Sequence, residues 1–79
     1  MNYVPMVHAP DKDENQFWLE RELSLIENAL QQEGEMPRRD LSERLGCKYW
    51  GPRRFANALK KGVEDGRFRR VRRGVYGPA

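Results

Sequence analysis

Between Gln16 and Glu33 the apolar residues fall at helical spacing. Leu19, Leu23, Ile26 and Leu30 make one stripe, which Trp18, Leu25 and Ala29 widen. Glu20, Arg21, Glu27, Asn28 and Gln31 occupy the other side, so an amphipathic helix is predicted, with Asn15 as its N-cap and Gly34 as its stop. The stripe is assigned to the core, with a dimer face as the competing use. Residues 1–15 hold Pro5, Pro10 and a polar DKDEN run without sustained periodicity. They read as a flexible arm in which Tyr3 to Val7 could dock as an edge strand.

After Gly34 there is room for a short extended piece, with Met36 inward and Pro37 limiting strand pairing. A second helix follows from Arg38 to Leu45, with Leu41 and Leu45 one turn apart and Gly46 as its left-handed stop. Beyond the turn from Gly46 to Gly51, Pro52 suits the first position of a third helix that runs to about Asp65. Phe55, Leu59, Gly62 and Val63 are its inward stripe, assisted by Ala56 and Ala58, whereas Arg53, Arg54, Asn57, Lys60, Lys61 and Glu64 form its polar side. Phe68 and Val71, a turn over Arg72 to Gly74, then Val75 and Tyr76 predict a β-hairpin. Because Phe68 and Val71 lie three apart, either a bulge intervenes or Arg70 buries its stem along the core edge.

Charge changes the picture. Residues 1–36 carry eight acids and two bases, net −6, and residues 37–79 carry four acids and thirteen bases, net +9. Five arginines fall within Arg67 to Arg73, RFRRVRR. Guanidinium groups so close repel one another unless a polyanion shares the space, and phosphate is an anion that arginine grips bidentately. The acidic half suggests a solvent-facing or partner-facing side.

Length and composition exclude much else. A 79-residue chain forms one small domain that buries only about 60% of its unfolded surface, so no deep catalytic cleft is expected. No run of about 18 apolar residues exists to span a membrane, and the start of the chain lacks a signal-peptide pattern. A cytoplasmic location is therefore expected. Cys47 and His8 are the single cysteine and histidine, so neither an intramolecular disulfide nor a zinc site of these ligands can be assembled. Cys47 reads as a small core residue and His8 as an ordinary side chain of the arm. Ser24 and Ser42 have no neighbouring base, the acids lack metal-ligand spacing, and there is no glycine-rich phosphate loop. Neither an enzyme nor a cofactor is expected.

The order helix, short strand, helix, turn, helix, basic hairpin is carried by DLSERLG (Asp40 to Gly46), FANALKKGVEDGRF (Phe55 to Phe68) and RRVRRGVY (Arg69 to Tyr76). It resembles the winged helix-turn-helix family, particularly bacterial transcriptional regulators of the gluconate-repressor type, over most of residues 36–77. The segment Cys47 to Pro52 is longer than the family's usual turn. Within it, Trp50 reads as a core plug, with a stacking platform as the other use of its indole.

The resemblance implies a mainly α fold, residues 16–79, of three helices and a C-terminal wing. It places helix 52–65 in the major groove of double-stranded DNA and wing 67–76 on the backbone or the neighbouring minor groove. Carried over by position, Arg53, Arg54, Asn57 and Lys61 are groove contacts, and Arg69, Arg70, Arg72 and Arg73 are wing contacts. Lys48 and Tyr49 would touch phosphates near the helix start. The competing reading is a protein-interaction module, or a homodimer, docking through the acidic first helix or the arm. No small-molecule substrate is expected.

Overall fold

A computed structural model describes the backbone of residues 11–79 and side chains from Gln16 onward. The elements are α1 (Asp11–Glu33), β1 (Met36–Pro37), α2 (Arg38–Leu45), a 3-10 turn (Cys47–Tyr49), α3 (Arg54–Glu64), β2 (Phe68–Arg72) and β3 (Val75–Pro78). The strands form an antiparallel sheet in the order β1-β3-β2, giving a mainly helical domain with three helices and three strands.

The first helix begins at Asp11 rather than Gln16, which puts Asn15 inside it and not at its cap. A run of acidic residues is favoured at a helix N-terminus by the macrodipole, and apolar periodicity is blind to a polar opening turn. Residues 11–15, expected as part of a flexible arm, are therefore helical. Residues 1–10, with Tyr3 to Val7 and His8, lie outside the described residues.

Leu23, Ile26, Ala29 and Leu30 of α1 meet Leu41, Cys47, Phe55, Ala58, Leu59, Met36 and Phe68 in one core. Trp18 and Leu25, expected to widen the α1 stripe, are instead 44% and 36% exposed. Their line on the helix lies beside the buried line, and the small α2–α3 layer covers only one of the two. Trp50 packs against the core edge-to-face with Phe55, ring centroids 6.0 Å apart, so the long turn is pinned by an aromatic plug as its composition suggested.

Gly46 ends α2 in the left-handed conformation at φ 65°, its N–H reaching the carbonyls of Glu43 and Ser42. The third helix starts at Arg54 and not at Pro52. The Arg54 N–H bonds the Gly51 carbonyl at 3.3 Å, closing a turn in which Arg53 holds φ 64°. That is the left-handed value a type II turn demands of its third residue, where glycine or asparagine is usual. The turn leaves Arg53 as the cap of α3, its carbonyl accepting the Asn57 N–H at 2.9 Å. Within α3, Phe55, Ala58, Leu59 and Gly62 point inward, but Ala56 is exposed and Val63 is 37% exposed. Both lie at the edge of the stripe and face a groove beside the hairpin.

Of the two accounts of the hairpin, the bulge is the one realised. Arg70 pairs with Tyr76 and Arg72 with Val75, leaving Val71 as the extra residue, and Arg70 is exposed. β1 adds Met36 opposite Tyr76 on the other side of β3, and the Arg38 N–H continues the contact to the Gly74 carbonyl at 2.7 Å.

The hairpin is locked to α3 by Phe68, which is 1% exposed and lies against Gly62. A Cβ at residue 62 would stand 2.0 Å from Phe68 Cζ, so the ring occupies the place of a side chain. Gly62→Ala is therefore expected to destabilise the domain by about 1–3 kcal/mol despite alanine's better helix propensity. Urea unfolding checks this; an unchanged or raised midpoint would contradict the close seat.

Candidate functional site

The acids of α1 from Gln16 onward are occupied within the chain. Arg67 donates to Glu20 at 2.6 Å, to Glu27 at 2.9 and 3.2 Å, and to the Ser24 hydroxyl at 3.1 Å. The bonds to Glu20, then those to Glu27, hold this guanidinium protonated even more firmly than usual. Arg44 pairs with Glu33 and donates to Gln32 at 2.9 Å, supplying the cation that the last turn of α1 lacks. Arg72 approaches Glu35 at 3.7 Å.

Glu22 is the buried acid, 7% exposed, and its Oε2 pairs with Arg54 at 2.8 Å. The first turn of α3 contains no acid of its own, so Glu22 supplies negative charge where the dipole of α3 is positive. Its Oε1 has no hydrogen-bond partner among the described residues. Removing Arg54 would leave a buried carboxylate unpaired, which makes Arg54 a structural tether more than a free groove contact.

Of the thirteen bases in residues 37–79, five enter ion pairs: Arg44, Arg54, Lys61 (with Asp65, 3.5 Å), Arg67 and Arg72. The other eight, Arg38, Arg39, Lys48, Arg53, Lys60, Arg69, Arg70 and Arg73, have no carboxylate partner among the described residues and all are exposed. Arg69 spends one donor on the Pro78 carbonyl at 3.0 Å. A groove of about 460 Å³ runs between α3 and the hairpin. Arg38, Lys60 and Arg70 line it, with Ala56, Val63 and Tyr76 as its apolar wall and Glu64 as its acid.

The residues expected to form the site thus fall into four groups. Arg70 belongs to the groove, and exposed Arg69, Arg72 and Arg73 lie on the same hairpin, Arg72 leaning on Glu35. Arg53 and Asn57 are exposed on the turn and first turns of α3. Arg54 and Lys61 are drawn into ion pairs. Lys48 and Tyr49 sit on the 3-10 turn, the ammonium 5.1 Å from the ring centroid and the ring 81% exposed.

Two groove residues were not in the expected set. Lys60 was legible on the polar side of its helix, one turn after Ala56 and before Glu64, but position in the motif favoured its neighbours. Arg38 is brought in by the β1–β3 pairing and stacks over Phe55 at 5.4 Å, a long-range consequence that spacing does not reveal.

Cys47 is buried, and desolvation pushes its thiol up to about 11, with Glu22 adding to the rise against a lowering contact from Ser42. Such a thiol is protonated and inert near neutrality. Among the described residues no group of three or more His, Cys, Asp and Glu could hold a metal, and no helix is long and apolar enough to cross a membrane. Comparison with protein-family models, curated proteins and solved structures finds no match to this chain.

Arginines of one cluster should therefore behave differently. Arg67→Ala is expected to cost about 1–2 kcal/mol in urea unfolding, whereas Arg73→Ala stays within about 0.5 kcal/mol of the parent. Equal effects would contradict the division into tethers and free cations. Arg53→Gly should raise stability by up to about 1 kcal/mol by relieving the left-handed backbone, and a loss of stability would show that the turn is not strained there.

Proposed function

We propose that the chain binds double-stranded DNA as a winged helix-turn-helix domain, acting as a small transcriptional regulator rather than as an enzyme. In this reading α3 enters the major groove, and the β2–β3 hairpin is the wing on the backbone or the adjacent minor groove. The observation that carries it is the eight cations without a carboxylate partner among the described residues, three of which line the groove formed by α3, the hairpin and the start of α2. The domain retains that positive surface after its own acids have taken the arginines they can reach. A polyanion spaced along a duplex offsets the repulsion that remains.

Roles divide by position. Arg38, Lys60, Arg70 and Arg73 supply phosphate affinity and orientation, and Arg53 and Asn57 supply groups suited to base edges. Arg54 acts indirectly, by fixing the start of α3 against α1. Arg53 joins these roles to a strained backbone, an arrangement that accumulates at functional positions.

If six to eight of these cations meet phosphates, log K should fall with log salt at a slope of roughly −5 to −7 in a fluorescence-anisotropy titration with duplex DNA. Replacing Lys60 and Arg70 together with alanine should make the slope shallower by roughly 2 and weaken all sequences alike. Binding that ignores salt, or a double variant with the parental slope, would overturn the reading.

A further inference from the structure

The groove beside α3 is not uniformly basic. Arg38, Lys60 and Arg70 border it, and Glu64 borders it with them. Glu64 is exposed, and no ion pair joins it to any of these three cations. Lys60 stands one turn before Glu64 on α3, the same order and spacing as Lys61 and Asp65 one residue further on, which approach to 3.5 Å. Lys60 and Glu64 do not close in this way, so the carboxylate and the three cations stand as separate groups of one groove. Val63 and Tyr76 form the apolar wall beside them.

A carboxylate among phosphate-binding cations lowers affinity for every duplex alike, because it repels phosphates whatever the sequence. It gains only from a partner that donates, since an ionised carboxylate accepts hydrogen bonds and has none to give. In the major groove, guanine N7 and O6 and thymine O4 are acceptors and repel it, whereas adenine N6 and cytosine N4 carry N–H donors. Adenine sets its N7 acceptor beside the amino group, against the second carboxylate oxygen. Cytosine has no acceptor on that edge and is the base that suits a carboxylate best. The helix bearing Glu64 is the one that enters the major groove if the chain binds duplex DNA, and Ala56, Lys60 and Glu64 follow one another along it at single-turn spacing.

We infer that Glu64 is a base-selecting residue, which accepts a hydrogen bond from the N4 amino group of a cytosine in the major groove and turns away guanine and thymine at that position. This role rests on the proposal that the domain binds double-stranded DNA, and adds sequence discrimination that cations on phosphates do not supply. The apolar wall of Val63 and Tyr76 displaces water next to the contact and strengthens it.

Selection of the full chain's preferred sites from a pool of duplexes with a randomised centre, repeated with Glu64→Ala and Glu64→Gln, tests the role. Anisotropy titrations then compare the duplexes that differ only at the position where the variants change the preference. The parent is expected to favour cytosine there by about tenfold. Glu64→Ala should lose that preference, and Glu64→Gln should move it toward adenine, because an amide accepts from N6 and donates to N7. Both variants should keep the parental far-UV circular dichroism, since the side chain is exposed. If both variants instead tighten every duplex by the same factor and keep the parental base preferences, Glu64 is only a repelling charge and its selecting role falls while duplex binding stands. A parental preference for guanine or thymine at the position that depends on Glu64 would also overturn it. A parent that binds no duplex at low salt would remove both the DNA-binding proposal and this role.

Discussion

The Phe68 ring lies where residue 62 would carry a side chain, and the rest of the domain is arranged around that contact. Glycine at this point lets a strand come down directly on the helix backbone, which sets the distance between α3 and the hairpin. Two consequences follow. Arg67, one residue before Phe68, is delivered to the acids of α1, and Arg70, two residues after it, is delivered to the groove opposite Lys60. A side chain at position 62 would disturb the tether and the groove together.

Electrostatics then divides the arginines by what they can reach. In the sequence, the acidic and basic halves look like two separate surfaces. In the fold they are largely one another's partners, because Glu20, Glu22, Glu27, Glu33 and Glu35 each meet an arginine from the second half. Exposed pairs of this kind contribute modestly, and the buried Glu22–Arg54 pair matters chiefly because neither partner can be removed alone. Their larger effect is on what remains. Three of the cations they leave without a carboxylate partner among the described residues, Arg38, Lys60 and Arg70, line the groove where α3, the hairpin and the start of α2 converge.

Elements written in local chemistry were legible before the structure. The span of α2, its glycine stop, the inward Met36, the aromatic plug at Trp50 and the buried Cys47 follow from spacing and residue type. The polar opening of α1 was not, because acids favour a helix start without contributing apolar periodicity. Nor was the delayed start of α3: a proline can begin a helix or sit in a type II turn, and the choice rests on Arg53 accepting a left-handed backbone. Arg69, Arg70 and Arg73, three of the eight cations without a carboxylate partner, were visible within the run of arginines. Which of them were spoken for depended on contacts far apart in the chain, Arg67 with Glu20 and Glu27 and Arg72 with Glu35, and no local pattern encodes these.

In the proposed function, the face built from α3, the hairpin and the start of α2 is the one that meets DNA. An amide-resolved NMR titration of the labelled chain with a duplex tests it most directly. Shifted signals are expected to concentrate at Arg38, Arg39, residues 48–60 and residues 69–74, with little change along the outer side of α1. Shifts confined to α1, or no shifts at low salt, would contradict it.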